Sequence, residues 1–275
     1  MKLKLLILTL LIGFTGFSQK KEKIKGNKLV KVQQHQIAPF TTLNLNEDIE
    51  VYLLKGLTPQ IEFETDENLH AIFRFAVDNN GTLNITTTHK ITSKKELKIR
   101  ITFTDEFTTI IASDKAKVNS LMDFDMKTLN INAKDNAKVY ITAKTTDFKL
   151  EISNHAKIEL NLEAQKAIVL MNESSNIKAL INADNLKFDL YQKANAKIEG
   201  DVNELNLRAD NATNFKGEKL TAKKCTLIAE GSSDCYIEVK NELTLEASGT
   251  TEVYIYGNPK IALNKFENSA VIYKK

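Results

Sequence analysis

Tryptophan is absent from this chain, and only two cysteines, three prolines, four histidines and ten glycines are spread over its 275 residues. Each scarcity excludes something. Three prolines and few glycines are poor material for many tight reversals, and the Asn-Gly or Asp-Gly pair that two-residue hairpins favour occurs once, at Asn80-Gly81. A long hairpin meander is therefore the weaker reading. His35, His70, His89 and His155 share no metal-ligand spacing, and no nucleophile–base motif stands near them. No catalytic or metal residue is assigned, and no cofactor is expected. The lack of tryptophan also weakens a sugar-stacking groove.

Long apolar runs are scarce too. The one run, Leu5 to Ile12, follows Lys2 and Lys4 and precedes small residues at Gly16 and Ser18. That is the pattern of a secretory signal peptide, residues 1–18. A membrane anchor would need about 20 apolar residues, and Lys20 and Lys21 follow too soon. The expectation is export to the periplasm, outer surface or medium, with no transmembrane segment after cleavage. Removing Lys2 and Lys4 takes the net charge from +3 to +1, so bulk charge offers nothing to nucleic acid. The apolar share, 42%, is ample for a core.

What is present is a repeat, and it decides the fold. The stretch LEISNHAKIEL (Leu150 to Leu160) alternates apolar and polar residues except at Ser153-Asn154-His155, and INAKDNAKVYI (131–141) and LYQKANAKIEG (190–200) read the same way. Pairs of apolar anchors eight residues apart mark eight copies: Ile110/Val118, Ile131/Val139, Leu150/Ile158, Val169/Ile177, Leu190/Ile198, Leu207/Phe215, Leu227/Cys235 and Leu245/Val253. The first anchors are spaced 21, 19, 19, 21, 17, 20 and 18 residues apart. Two residues before each second anchor stands a small residue: Ala116, Ala137, Ala156, Ser175, Ala196, Thr213, Ser233 and Thr251. One such unit cannot bury its apolar side, but stacked copies can, each inward residue resting on its counterpart about 4.8 Å away. The sequence predicts an all-β parallel β-helix (β-solenoid) of about eight short coils over residues 107–260, with the polar breaks as corners and the small residues at inward bends.

Residues 40–106 hold longer strand candidates, including a hairpin across Asn79-Asn80-Gly81, and are expected to form an N-terminal β region capping the solenoid. Residues 19–39, rich in Lys and Gln, read as a loose lead-in. Gly257-Asn258-Pro259 ends the last alternation, leaving 261–275 as a C-terminal cap.

IEVYLLKG, FETDENL followed by DNNGTLNI, and SGTTEVYIYGNP, in that order, carry a resemblance over about residues 40–260. The chain resembles the exported bacterial "putative auto-transporter adhesin, head GIN domain" family, a domain of unknown function. One departure is that Glu47-Asp48-Ile49-Glu50 stands where a Gly-Ile-Asn-like step belongs. The resemblance implies a β-helical exported protein and supplies no catalytic residues.

β-Helix enzymes that act on polysaccharides cluster carboxylates in a groove, whereas the acids here are scattered among lysines. The reading is an exported, non-enzymatic adhesin or envelope-binding module. Its alternatives are a structural envelope protein without a ligand and, behind that, a polysaccharide-acting enzyme. The outward positions carry the binding candidates. The residue before the second anchor reads Lys117, Lys138, Lys157, Asn176, Lys197, Asn214, Asp234, Glu252, and the residue after it runs Glu159, Lys178, Glu199, Lys216, with each charge meeting its opposite in the next coil. Lys117, Lys138, Lys157 and Lys197, with outward Tyr236, Tyr254 and Tyr256, form the candidate surface for a glycan or protein at a cell surface or envelope. Cys225 and Cys235 fall in two inward columns of one coil. A disulfide and two reduced thiols are both compatible with that placement.

Overall fold

The computed structural model describes residues 21–275; the expected signal peptide lies outside the described residues. The chain winds into a parallel β-solenoid of about nine turns. A middle coil shows how. The strand Lys157–Met171 buries Ile158, Leu160, Leu162 and Ala164 along a long face, then exposes both Gln165 and Lys166. That double exposure is a bend. Alternation resumes out of phase, burying Ala167, Val169 and Met171 on a short face. The strand pairs in parallel register with Lys138–Ile152 on one side and Asn176–Gln192 on the other, so each inward side chain packs on its equivalents in the adjacent coils.

Between the two faces the chain turns a tight corner, and from Asp114 onward each corner holds one residue at positive φ. These are Asp114, Asp135, Asn154, Glu173, Gln192, Asn211, Gly231, Gly249 and Asn268, between +55° and +84°. Seven of the nine are Asp, Asn or Gly, the types that enter this region at least cost. In a representative corner the Ala156 amide closes the turn on the Ser153 carbonyl at 3.2 Å, while the His155 amide donates to the Asp135 carbonyl of the preceding coil at 2.8 Å. The corners thus form a ladder of their own. The small side chains point inward there, and Ala116, Ala137 and Ala156 have no exposed surface.

In one coil the register differs from the sequence expectation. Val169 pairs with Phe188, not Leu190, and Ile177 pairs with Ala196. The anchors of that coil are Phe188 and Ala196, and Ala194 is its small corner residue, fully buried with its amide on the Tyr191 carbonyl. A slip of two residues preserves which side chains face inward. Alternation alone could not detect it, and the corrected anchor spacing there becomes an even 19 and 19.

At the N-terminal end the parallel stack gives way to antiparallel strands. Leu97–Phe103 pairs parallel with Glu50–Lys55 but antiparallel with Gln60–Asp66, which in turn pairs antiparallel with Val30–Gln36. Phe73–Val77 and Thr82–Thr87 form the hairpin expected across Asn80-Gly81. Phe63, Phe73 and Phe75 fill the space between these strands, with ring centroids 4.8 and 5.4 Å apart. The residues read as a loose lead-in thus include a seven-residue strand. Its exposed Lys31, Gln33 and Gln34 blunt the sheet edge. At the other end, Lys260–Phe266 and Val271–Lys274 continue the parallel stack as a further coil. Both cysteines are free and buried in the solenoid core, and burial pushes the Cys225 thiol up to about 12.

One carboxylate holds the N-terminal loops. Asp66 is fully buried and accepts the amides of Lys28, Lys95 and Glu96 at 2.9, 3.1 and 3.3 Å. Gly26 packs against it so closely that a Cβ there would lie 1.9 Å from Oδ2. Burial on its own would raise this carboxyl, but the three amides outweigh it and hold it below the usual range. A depressed folded pKa contributes stability that is present above the unfolded value, about 3.9, and is lost as pH falls through the folded one. Asp66→Asn is therefore expected to lower the Tm by several degrees at pH 7, with the gap to wild type narrower at pH 3, below the unfolded value of about 3.9. Thermal melts at the two pH values check it, and a gap of equal size at both would contradict the assignment.

Candidate binding face

The long face of the solenoid presents three outward columns, each built by one position of the repeat. In the first, Lys117, Lys138 and Lys157 stand in direct register, followed by Asn176, Asn195 and Asn214 and then by Asp234 and Glu252. The second runs Tyr140, Glu159, Lys178, Lys197, Lys216, Tyr236, Tyr254, Tyr273. The third includes Leu180, Glu199 and, near the C-terminal end, Tyr256 opposite Glu238.

The corrected register changes the charge pattern. Lys197 leaves the first column, where Asn195 takes its place, and sits between Lys178 and Lys216 in the second. Glu199 moves to the third column, so the alternation Glu159, Lys178, Glu199, Lys216 does not exist; Lys178 meets Lys197. The three lysines form a like-charge ladder that sequence reasoning missed, because the slip of two exchanged one outward column for its neighbour. The short spacing of 17 that followed a spacing of 21 was the available signal. Lys197 lies 3.7 Å from Glu199 and Lys117 lies 4.0 Å from Glu50, but Lys138, Lys157, Lys178 and Lys216 have no carboxylate within 4.0 Å among the described residues. Beside the ladder is a shallow depression of about 500 Å³, whose wall includes Tyr140, Asn161, Lys178, Leu180 and Lys197. Leu180 is 43% exposed in it.

Farther along the same face the tyrosines stack. The rings of Tyr236 and Tyr254 lie 4.4 Å apart and 1° from parallel, and those of Tyr254 and Tyr273 are 4.7 Å apart. Their faces are turned to one another. The Tyr254 hydroxyl donates to Glu252 at 2.5 Å, and this bond, with burial and the Glu252 charge, raises its pKa. Asp234 is likewise raised, by burial and by the Glu252 carboxylate beside it. This end of the face is aromatic and carries Asp234 and Glu252, with Lys275 Nζ 5.4 Å from the Tyr254 ring centre; its middle is basic. The structure therefore separates the candidate lysines from the candidate tyrosines along one face.

A groove of about 1060 Å³ runs along the bend between the faces. Its polar groups engage each other: Lys144 bonds Glu163 at 2.6 Å and Asn203 bonds Asp184 at 2.7 Å. Among the described residues no group of three or more His, Cys, Asp or Glu side chains could hold a metal ion, and no helix is long and apolar enough to cross a membrane.

Solved structures share the fold. A "putative adhesin" from Parabacteroides merdae is 16% identical, with 92% of this chain and 99% of that one covered and a TM-score of 0.62. A "putative adhesin" from Parabacteroides distasonis is 14% identical, with 92% and 98% covered and a TM-score of 0.65. A "putative lipid binding protein" from the same organism is 19% identical, with 92% and 100% covered and a TM-score of 0.60. A search of curated proteins finds no match. The family described as "Putative auto-transporter adhesin, head GIN domain" matches at residues 39–167 and 149–259. With most of its length so matched, and with the repeat and corners that build a β-solenoid, this chain belongs to that family.

Proposed function

We propose that this protein is an exported, non-enzymatic binding module that docks its long face onto a macromolecular partner at a cell surface or envelope. The observation that carries the proposal is the uneven charge of that face. The mature chain is almost neutral, yet between Lys138 and Lys219 the three outward columns hold six lysines against only Glu159 and Glu199. Regular solenoids offer extended surfaces rather than deep pockets, and these suit many weak contacts. The adhesin names of the family and of two structural neighbours support the reading, and the lipid-binding name of the third makes anionic vesicles a useful comparison.

Charge reversal of Lys117, Lys138 and Lys157 together is expected to weaken binding of the purified protein to anionic cells by about tenfold, equivalent to about 1.4 kcal/mol. Raising the salt concentration should weaken the wild type in the same way, since exposed charges are screened. Flow cytometry with labelled protein measures both. Unchanged binding in the triple variant would remove the first column from the docking face, and polysaccharide cleavage by the purified protein would overturn the non-enzymatic reading.

A further inference from the structure

Like charges in direct cross-strand register oppose folding; successive coils avoid them on the bend, while the long face stacks Asp234 on Glu252 as well as lysine on lysine. On the bend, ten or fewer residues away, Glu204, Lys224, Glu242 and Lys260 succeed one another in register, and each charge meets its opposite. On the long face the opposite is found. Lys117, Lys138 and Lys157 stack in one column, and after a sideways step of two residues Lys178, Lys197 and Lys216 stack in the next. The six lysines form an oblique stripe across six successive coils, roughly 24 Å long at the usual strand spacing. Asn176, Asn195 and Asn214 flank the second half of the stripe, and the depression holding Tyr140, Asn161 and Leu180, together with Glu159 and Glu199, lies along its other side.

We infer that this stripe is a binding site for a linear acidic polysaccharide, with Lys178, Lys197 and Lys216 as its central cation row. A line of cations matches a chain that carries carboxylate or sulfate groups at regular intervals. Asn161, with the remaining amide groups of Asn176 and Asn195, whose Nδ2 atoms each donate one bond to the Ser174 and Lys193 carbonyls at 2.8 Å, supplies donors and acceptors for hydroxyls, and exposed Leu180 with half-buried Tyr140 gives apolar surface against a sugar ring. A lipid headgroup layer is planar and would draw on a broad basic patch with apolar residues to insert, whereas the acidic Asp234, Glu238 and Glu252 on the same face repel an extended anionic plane. The inference rests on the proposed docking role of the long face and names its ligand class.

The test measures binding of the whole mature chain to a polyuronate, dextran sulfate, neutral dextran, and phosphatidylcholine vesicles with and without phosphatidylglycerol. Wild type is expected to bind the two acidic polysaccharides, to ignore neutral dextran, and to bind the vesicles at least tenfold more weakly. Lys178→Gln/Lys197→Gln/Lys216→Gln should lose tenfold or more in affinity for the acidic polysaccharides while keeping or raising the Tm, because like-charge repulsion is relieved. The control Lys166→Gln/Lys224→Gln/Lys260→Gln removes the same charge from the bend and should change affinity less than twofold. Equal losses in the two variants would reduce the site to bulk charge, and a lowered Tm in the ladder variant would make the lysines structural; either overturns the inference. Vesicle binding without polysaccharide binding would assign the stripe to lipid. Cell binding by wild type without binding to either acidic polysaccharide would leave the docking role standing and end this ligand assignment.

Discussion

Ala156→Glu is expected to destabilise the solenoid by about 4 kcal/mol or more, the range reached when an unpaired charge is buried, whereas Lys157→Glu, one residue on, should change stability by about 0.5 kcal/mol or less. The two side chains are adjacent in sequence and opposite in environment. Ala156 has no exposed surface and lies inside the corner closed by its amide on Ser153. Ala137 and Ser175, its counterparts in the adjoining coils, are equally enclosed, so a longer side chain has no direction in which to move. Lys157 points outward between Lys138 and Asn176, and a glutamate there would gain an opposite charge beside it. Thermal melts read the contrast directly. For a chain of this size 4 kcal/mol corresponds to a Tm loss of about 10 °C, and small, equal shifts in the two variants would contradict the inward placement of the small column.

That column was legible because its cause is local and repeated: at every corner the chain folds over its own side chain, and a small residue recurs at one position. The coil holding Phe188 and Leu190 shows where legibility ends. Both residues are inward and both are large, so either could serve as the anchor by pattern alone. What fixes the register is the corner, where Gln192 takes positive φ, the Ala194 amide reaches Tyr191, and the Lys193 amide reaches Glu173. Glutamine at that position carries none of the turn signal that Asn154, Asn211 or Gly231 does. The error was harmless for the core and decisive for the surface, because it carried Lys197 into the wrong outward column. The N-terminal region was legible as strands and one hairpin, but not as an antiparallel closure of a parallel stack. Val30–Gln36 finds its partner some thirty residues on, and its polar, Lys- and Gln-rich sequence gives no inward face to follow. Asp66 had no signal either, since its partners are backbone amides that any sequence possesses.

The second large effect is expected at Gly200, where alanine should cost about 3 kcal/mol, the upper range for a residue forced into a forbidden backbone region. Its position is unusual within its own column. The inward neighbours in register are Leu162 and Ile181 on one side and Leu220 on the other, so an apolar side chain would be the simple choice. The backbone forbids it. Gly200 has φ of +121°, and a Cβ there would lie 2.2 Å from the Ile181 carbonyl oxygen and 2.8 Å from its carbon. Those are main-chain atoms of the preceding coil, held in the ladder, and they cannot yield as a flexible side chain would. The cause lies in the next coil, which gains a residue around Gly217 and Glu218. Lys197 pairs with Lys216 nineteen residues on, but Glu199 pairs with Lys219, twenty on. A β-bulge of this kind bends and twists the strands it joins, and glycine lets Asn195–Asn211 follow. The comparison that isolates this cause is Asn154→Ala. Asn154 also has positive φ, +59°, but lies at a partly exposed corner, and alanine there should cost only about 1 kcal/mol, the left-handed penalty and the loss of the Nδ2 bond to Asp135 at 2.9 Å taken together. Differential scanning calorimetry of the two variants separates the outcomes. A Gly200→Ala loss no larger than that of Asn154→Ala would mean that the strand relaxes around the added methyl group and that the bulge does not require glycine opposite it. A loss about three times larger would tie the irregular coil, and with it the placement of Lys216 beside Lys197, to this one residue.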